Sequence, residues 1–339
     1  MKNNPKEYFS IEDFEKYKTS YLTTRSIIDE ALRRNINVEI LDRDKNIQLE
    51  KGGVIRRFYT STTSLTDPVG IRIASNKESS RTLLKKNDVP TPQYVYLEFN
   101  EPLPQRLPLK FPVVIKPAEG TSGGKGVFTN IENYSELKKH YSIVKKIAAT
   151  HKSGILIEEL VDGEDFRALV INFKDVKIIK RIPAHVVGDG KSTVKELLLR
   201  KNQDPRRGDS YSFPMFKIKM NDEVKRTLAK KELTFDSVPS SKETVFLRKN
   251  ANLTTGGETN EITDTVPNET IQMCKKIAVA VNLNIVGIDI ISQDISKPLS
   301  QNNGKIIEIN DNPGFNGFLF PTKGKSYNPS EKIVQMLFK

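Results

Sequence analysis

Short apolar runs rich in valine and isoleucine alternate with helical stripes along this chain, and that alternation restricts it to the α/β class. Thr23 or Thr24 can cap a helix that turns Ile27, Ile28, Ala31 and Leu32 inward; Asn35 can close it, and residues 38–41 then read as a strand. The turn at Lys51-Gly52-Gly53 precedes a second strand over 54–59, and a helix is predicted from near Asn76 with Leu83 and Leu84 inward. Pro90, Pro92, Pro102, Pro104 and Pro108 interrupt regular structure and mark a lobe boundary near residue 105. Beyond it come a buried strand over 113–115 and a helical stripe of Leu137, Tyr141, Val144 and Ile147. A strand over 155–157 and a hairpin of 166–173 with 176–182 follow. The polar, basic stretch 188–241 holds helices at 193–200 and 222–230, and Ile271, Cys274, Ile277 and Val281 make one more apolar helical face. Strands over 286–291 and 305–309 complete the pattern.

At 339 residues the chain exceeds one compact core and suits two or three lobes. No run approaches the roughly 18 apolar residues of a membrane helix, and the first fifteen residues have no apolar block of the signal-peptide kind. One cysteine, Cys274, rules out an internal disulfide and a cysteine zinc site, and its helical spacing makes it a core residue. Three histidines leave no basis for a poly-histidine metal site. A cytoplasmic location is expected. The net charge of +12 fits either nucleic acid or a cleft for polyanionic nucleotides and carboxylates. Lysines are spread over the chain, with no arginine-rich tail and no tryptophan, which favours the cleft.

Three groups of residues carry chemistry. Gly120, Thr121, Ser122, Gly123, Gly124, Lys125 and Gly126 form a glycine-rich turn whose backbone amides can wrap phosphate oxygens. It lacks Walker spacing; Gly190-Lys191-Ser192 mimics the end of a Walker loop, but His185 stands where its first glycine belongs. Lys116, at the end of an apolar strand just before the turn, can place its ammonium over phosphates. Glu158, Glu159 and Leu160 follow a buried strand, where backbone can meet an adenine edge and a carboxylate a ribose or amino group. Asp289 lies on one C-terminal strand and Glu308 and Asn310 on the next. Strand positions i and i+2 share a face, so Glu308 and Asn310 project together and, with Asp289, make an all-oxygen set suited to Mg2+.

Taken in order, these elements resemble the ATP-grasp superfamily over nearly the whole chain from about Thr24: Lys77 before a helix, Lys116, the glycine-rich lid, the acidic hinge, Asp289, then Glu308-x-Asn310. Arg181-Ile182-Pro183-Ala184-His185-Val186-Val187-Gly188-Asp189-Gly190, the run from Leu247 through Gly257, and Asp264-Thr265 are similar to the ATP-grasp part of cyanophycin synthetases and of bifunctional glutathione synthetases. The resemblance covers neither the Mur-ligase-like half of the former nor the glutamate–cysteine ligase half of the latter.

It implies an ATP-grasp fold with an N-terminal α/β domain (1–105), a small lid-bearing lobe (106–185) and a C-terminal metal-binding lobe (186–339). It implies Lys77 and Lys116 on ATP phosphates, Glu158 and Leu160 at adenine, Glu164 at the ribose, and Mg2+ or Mn2+ on Asp289, Glu308 and Asn310. Arg167, Arg248 and Asn252 would face an acyl-phosphate or a substrate carboxylate. The activity implied is ATP-dependent joining of a carboxylate to an amine, both on small molecules or peptides, with a homo-oligomer left open. Within the class the alternative is a ligase resembling D-alanine–D-alanine ligase or glutathione synthetase. Outside it, the alternatives are a non-catalytic ATP-binding module and a basic nucleic-acid binder, the latter lacking any recognition motif.

Overall fold

Contacts within the chain group it into two units of interleaved stretches, one of residues 1–65, 177–263 and 314–339, the other of 66–176 and 264–313. The structure, a computed structural model, describes residues 21–42, 46–120 and 126–339. Each of the three lobes expected from the sequence contributes to both units.

In the first unit the helix Leu22–Arg33 buries Leu22, Ile27, Ile28 and Ala31 against the helix Pro329–Leu337. The Ser330 hydroxyl donates to Ser26 at 2.8 Å inside that contact. Asn35 does end the first helix, in the left-handed conformation (φ 55°) that asparagine tolerates. An antiparallel meander of Asn37–Ile40, Asn46–Lys51, Val54–Tyr59 and Thr62–Thr63 follows, with Ile47, Leu49 and Phe58 inward. Strand Asp175–Ile182 pairs with Glu258–Glu261, and the chain between them builds a small subdomain. Its antiparallel strand pair of His185–Val187 with Thr244–Phe246 and its helices Val194–Lys201 and Asp222–Ala229 enclose Val186, Leu198, Val224, Leu228 and Leu247. Thr193 and Glu196 form a reciprocal capping box at the first of these helices, which begins one residue after the expected start.

Beneath this subdomain Glu258 accepts from Lys201 at 2.7 Å and Arg207 at 2.6 Å and faces His185 Nε2 at 3.8 Å. Burial, then the neighbouring Lys201 charge, holds the His185 imidazole below its ordinary pKa. The folded chain therefore binds this proton less readily than the unfolded one. The stability His185 contributes is complete above its unfolded value of roughly 6.5 and is lost as pH falls below it. We expect the melting temperature to drop between pH 7.5 and 5.5, and His185→Asn to flatten that slope; equal slopes would refute the assignment.

The second unit carries two antiparallel sheets among the described residues. Its elements are helices α1 (Pro68–Ser75) and α2 (Lys77–Lys86), strands β1 (Tyr94–Leu97), β2 (Val113–Pro117) and β3 (Phe128–Ile131), and helix α3 (Tyr134–His151). Strands β4 (Ile155–Glu159) and β5 (Glu164–Ile171), helix α4 (Asn268–Ala280), and strands β6 (Ile285–Ser292) and β7 (Gly304–Asn310) complete it. One sheet runs β1-β4-β2-β3, and α3 packs on it through Leu137, Tyr141, Val144 and Ala148. In the other, β6 lies between β5 and β7. Against it α4 presents Cys274 and Ile277, both fully buried, and burial raises the Cys274 thiol to about 12. Among the described residues no helix is long and apolar enough to cross a membrane.

Candidate nucleotide and metal site

Asn76 caps α2 by accepting from the Ser79 amide at 2.7 Å. That cap fixes where the helix begins and so places Lys77 and Arg81, one turn apart, on a single face. Lys77 Nζ lies 3.4 Å from the Glu308 carboxylate. Arg81, only 1% exposed, donates to the carbonyl of Ile306 and to Glu158, each at 3.1 Å, and also to the carbonyl of Ile307. Sequence reasoning missed Arg81; its helical spacing from Lys77 puts it on the same face but names none of its partners.

On the first sheet Val114 pairs with Glu158, so Lys116, two residues on, is the diagonal neighbour of Glu158 on the same face. The two form a buried ion pair, Lys116 being 5% and Glu158 3% exposed. Burial works against the Glu158 carboxylate, but Lys116 and Arg81 outweigh it and hold its pKa below the usual range. Burial likewise lowers Lys116, with Glu158 opposing. Both oxygens of Glu158 are thus engaged, one by Lys116 and the other by Arg81. Next along, Glu159 is held by Lys305 and by the Gln93 amide at 2.8 Å, and the Leu160 amide donates to Pro112 at 3.2 Å. Glu164 opens β5, opposite Ser292, and is exposed.

The second sheet sets three residues in one cross-strand row: Arg167 on β5 opposite Asp289 on β6, and Asp289 opposite Glu308 on β7. Directly paired side chains share a face, so the two carboxylates stand together with Arg167 at one end and Lys77 at the other. Arg167 grips Asp289 with two N–H groups, the second at 2.8 Å. In the neighbouring row Gly287 faces Asn310, and a side chain there would meet Pro313 at 2.9 Å, Arg167 at 3.4 Å and Asn310 at 3.5 Å. Glycine keeps that space open. A register shift follows Asp289, so that Ile290 pairs with Ile306 and Ile307 is left over; its carbonyl goes to Arg81. Such bulges re-aim side chains next to functional sites.

Gly120 and Gly126 bound the glycine-rich turn with φ of 77° and 75°, values suited to glycine. Thr121, Ser122, Gly123, Gly124 and Lys125 lie outside the described residues. Arg248 and Asn252 belong to the first unit. Arg248 is buried and bonds Glu223 and, at 3.3 Å, Asn221; the Asn252 carbonyl accepts from Thr255 and Gly257.

No family model matches the chain. It is 32% identical over 340 aligned residues to a cyanophycin synthetase of Crocosphaera subtropica, covering 100% of this chain and 39% of that protein. It is 34% identical over 326 residues to the glutathione biosynthesis bifunctional protein GshAB of Clostridium perfringens, covering 95% of this chain and 42% of that one. The chain therefore spans about two fifths of the length of these relatives. A solved bifunctional glutathione synthetase from Pasteurella multocida superposes with a TM-score of 0.72 at 28% identity, over 95% of this chain and 44% of that one. The chain belongs to the ATP-grasp superfamily.

ATP-grasp ligases use ATP and a divalent metal ion. Among the described residues no three of His, Cys, Asp and Glu gather into a metal-binding group. The donors present in this ATP-grasp chain are two carboxylates and one amide, which fits an ion that keeps most of its ligands as water and phosphate. Among the described residues the buried Asn310 amide nitrogen has no partner, and a half-turn of that amide would present its oxygen instead.

Proposed function

We propose that this chain is an ATP-dependent carboxylate–amine ligase, joining amino acids or small peptides through an acyl-phosphate and releasing ADP and phosphate. The observation that carries the reading is the cross-strand pair of Asp289 and Glu308, with Asn310 on the same face and a cation at each end. Similarity that runs over nearly all of this chain, and over about two fifths of proteins named a synthetase and a glutathione biosynthesis protein, supports amide formation as the chemistry.

On this reading Lys77 and Lys116 hold phosphate oxygens. Glu159, Leu160 and Glu164 bound the adenosine, with Glu158 beneath it as the partner of Lys116. Asp289, Glu308 and Asn310 would hold Mg2+ or Mn2+, which when bound offsets charge on the transferring phosphoryl group. Arg167 serves the substrate carboxylate and its phosphorylated form, which a guanidinium suits because it donates two parallel bonds; for Arg248 and Asn252, in the first unit, the sequence resemblance is what supports a carboxylate role. The carboxylate takes the γ-phosphoryl group, the amine attacks the resulting acyl carbon, and phosphate leaves as the amide forms. The residues position and screen, and no covalent enzyme intermediate is required. The test is to incubate the chain with ATP, Mg2+ and pairs of amino acids or short peptides. ADP and phosphate should appear in step with an amide product identified by mass spectrometry; AMP and pyrophosphate as the stoichiometric products would overturn the mechanism.

A further inference from the structure

Around Glu158 two cations face one anion. If Lys116 alone met Glu158 the pair would be neutral, and a phosphate arriving at Lys116 would find little net charge. Arg81 changes that balance. It is buried on α2, and its guanidinium already holds Glu158 and two carbonyls, so it is not itself available to a ligand. Its charge nevertheless leaves the trio of Arg81, Glu158 and Lys116 with a surplus of one, which only Lys116 can present. The same guanidinium binds β7 at Ile306 and Ile307, immediately before Glu308. Lys77, one helical turn away on α2, meets Glu308 itself.

We infer that Arg81 is a positioning residue for phosphate binding: it satisfies Glu158 so that Lys116 remains a net cation, and it ties Lys116 and the strand of Glu308 to one helix. The inference rests on the ATP-ligase reading, which places phosphate at Lys116. A lysine in its place keeps the charge but cannot reach Glu158 and both carbonyls at once, since it lacks the planar fork of donors.

The test compares nucleotides that differ in phosphate. Binding of ATP, ADP and adenosine to the full chain is measured by calorimetry with Mg2+ present, for wild type, Lys116→Met, Arg81→Lys, Arg81→Met and the double variant Arg81→Met with Glu158→Gln. Arg81→Lys and Arg81→Met should weaken ATP at least about tenfold and leave adenosine unchanged, because adenosine brings no phosphate to Lys116. The double variant restores the surplus on Lys116 and should bind ATP more tightly than Arg81→Met alone. Unchanged ATP affinity in Arg81→Lys, or ATP and adenosine weakened together, would make Arg81 a purely structural pin and overturn the inference. Loss of ATP binding in Lys116→Met with normal binding in both Arg81 variants would also overturn it. ATP binding untouched by Lys116→Met would overturn the phosphate assignment beneath it.

Discussion

Glu308→Gln and Asp289→Asn should each lower ligation at least about a hundredfold, the loss expected when a charged group serving a bound metal at the reacting phosphoryl is removed. Their stability costs should differ. The Glu308 side chain is 37% exposed and, among the described residues, pairs with the ammonium of Lys77 at 3.4 Å, so its amide replacement should melt close to wild type. Asp289 is 12% exposed and takes two N–H groups of Arg167, itself 19% exposed. Neutralising it leaves a half-buried guanidinium without its anion, a change worth on the order of 1–3 kcal/mol. Phosphate release and thermal melting on the same preparations separate the two effects. Glu308→Gln with near-normal turnover would move the metal site elsewhere, whatever its melting temperature.

The row of Asp289 and Glu308 was legible in the sequence because strand periodicity is strict. Two apolar strands each interrupted by a carboxylate, with an amide two residues on, could bring Asp289, Glu308 and Asn310 to one face only if the strands were neighbours, and they are. Arg81 was not legible, because its partners come from two strands remote in sequence and from a bulge carbonyl that no periodicity announces. The helices Pro68–Ser75 and Pro329–Leu337 escaped the reading although Asp67-Pro68 and Asn328-Pro329 are cap-and-proline starts. The first buries only Gly70 and Ala74 and so shows little apolar stripe, whereas the second does carry one in Ile333, Val334, Met336 and Leu337. Strand β1 (Tyr94–Leu97) was hidden among prolines that flank it without entering it. The interleaving of the two units left no mark in composition, since each is assembled from stretches separated by the other.

Adjacent glutamates on β4 should respond to the same substitution with very different losses of stability. Glu158 is 3% exposed, and its two oxygens meet Lys116 and Arg81. Glutamine there leaves two buried cations facing each other across a neutral amide, and removing one partner of a buried pair costs about 3–5 kcal/mol. Glu159, with a side chain 27% exposed, pairs with Lys305 nearer solvent and accepts from the Gln93 amide, a bond that glutamine can still accept. Its loss should cost about 1 kcal/mol or less. The comparison also separates two roles for Glu158. As the anion that balances Lys116 and Arg81, its neutralisation lowers the melting temperature sharply. As a direct adenine contact, it would weaken adenosine binding while the melting temperature stayed put. Chemical denaturation of both variants, with adenosine affinity measured on the folded fraction, decides between them. An unchanged unfolding free energy for Glu158→Gln would show that the buried trio is not the structural element its geometry indicates.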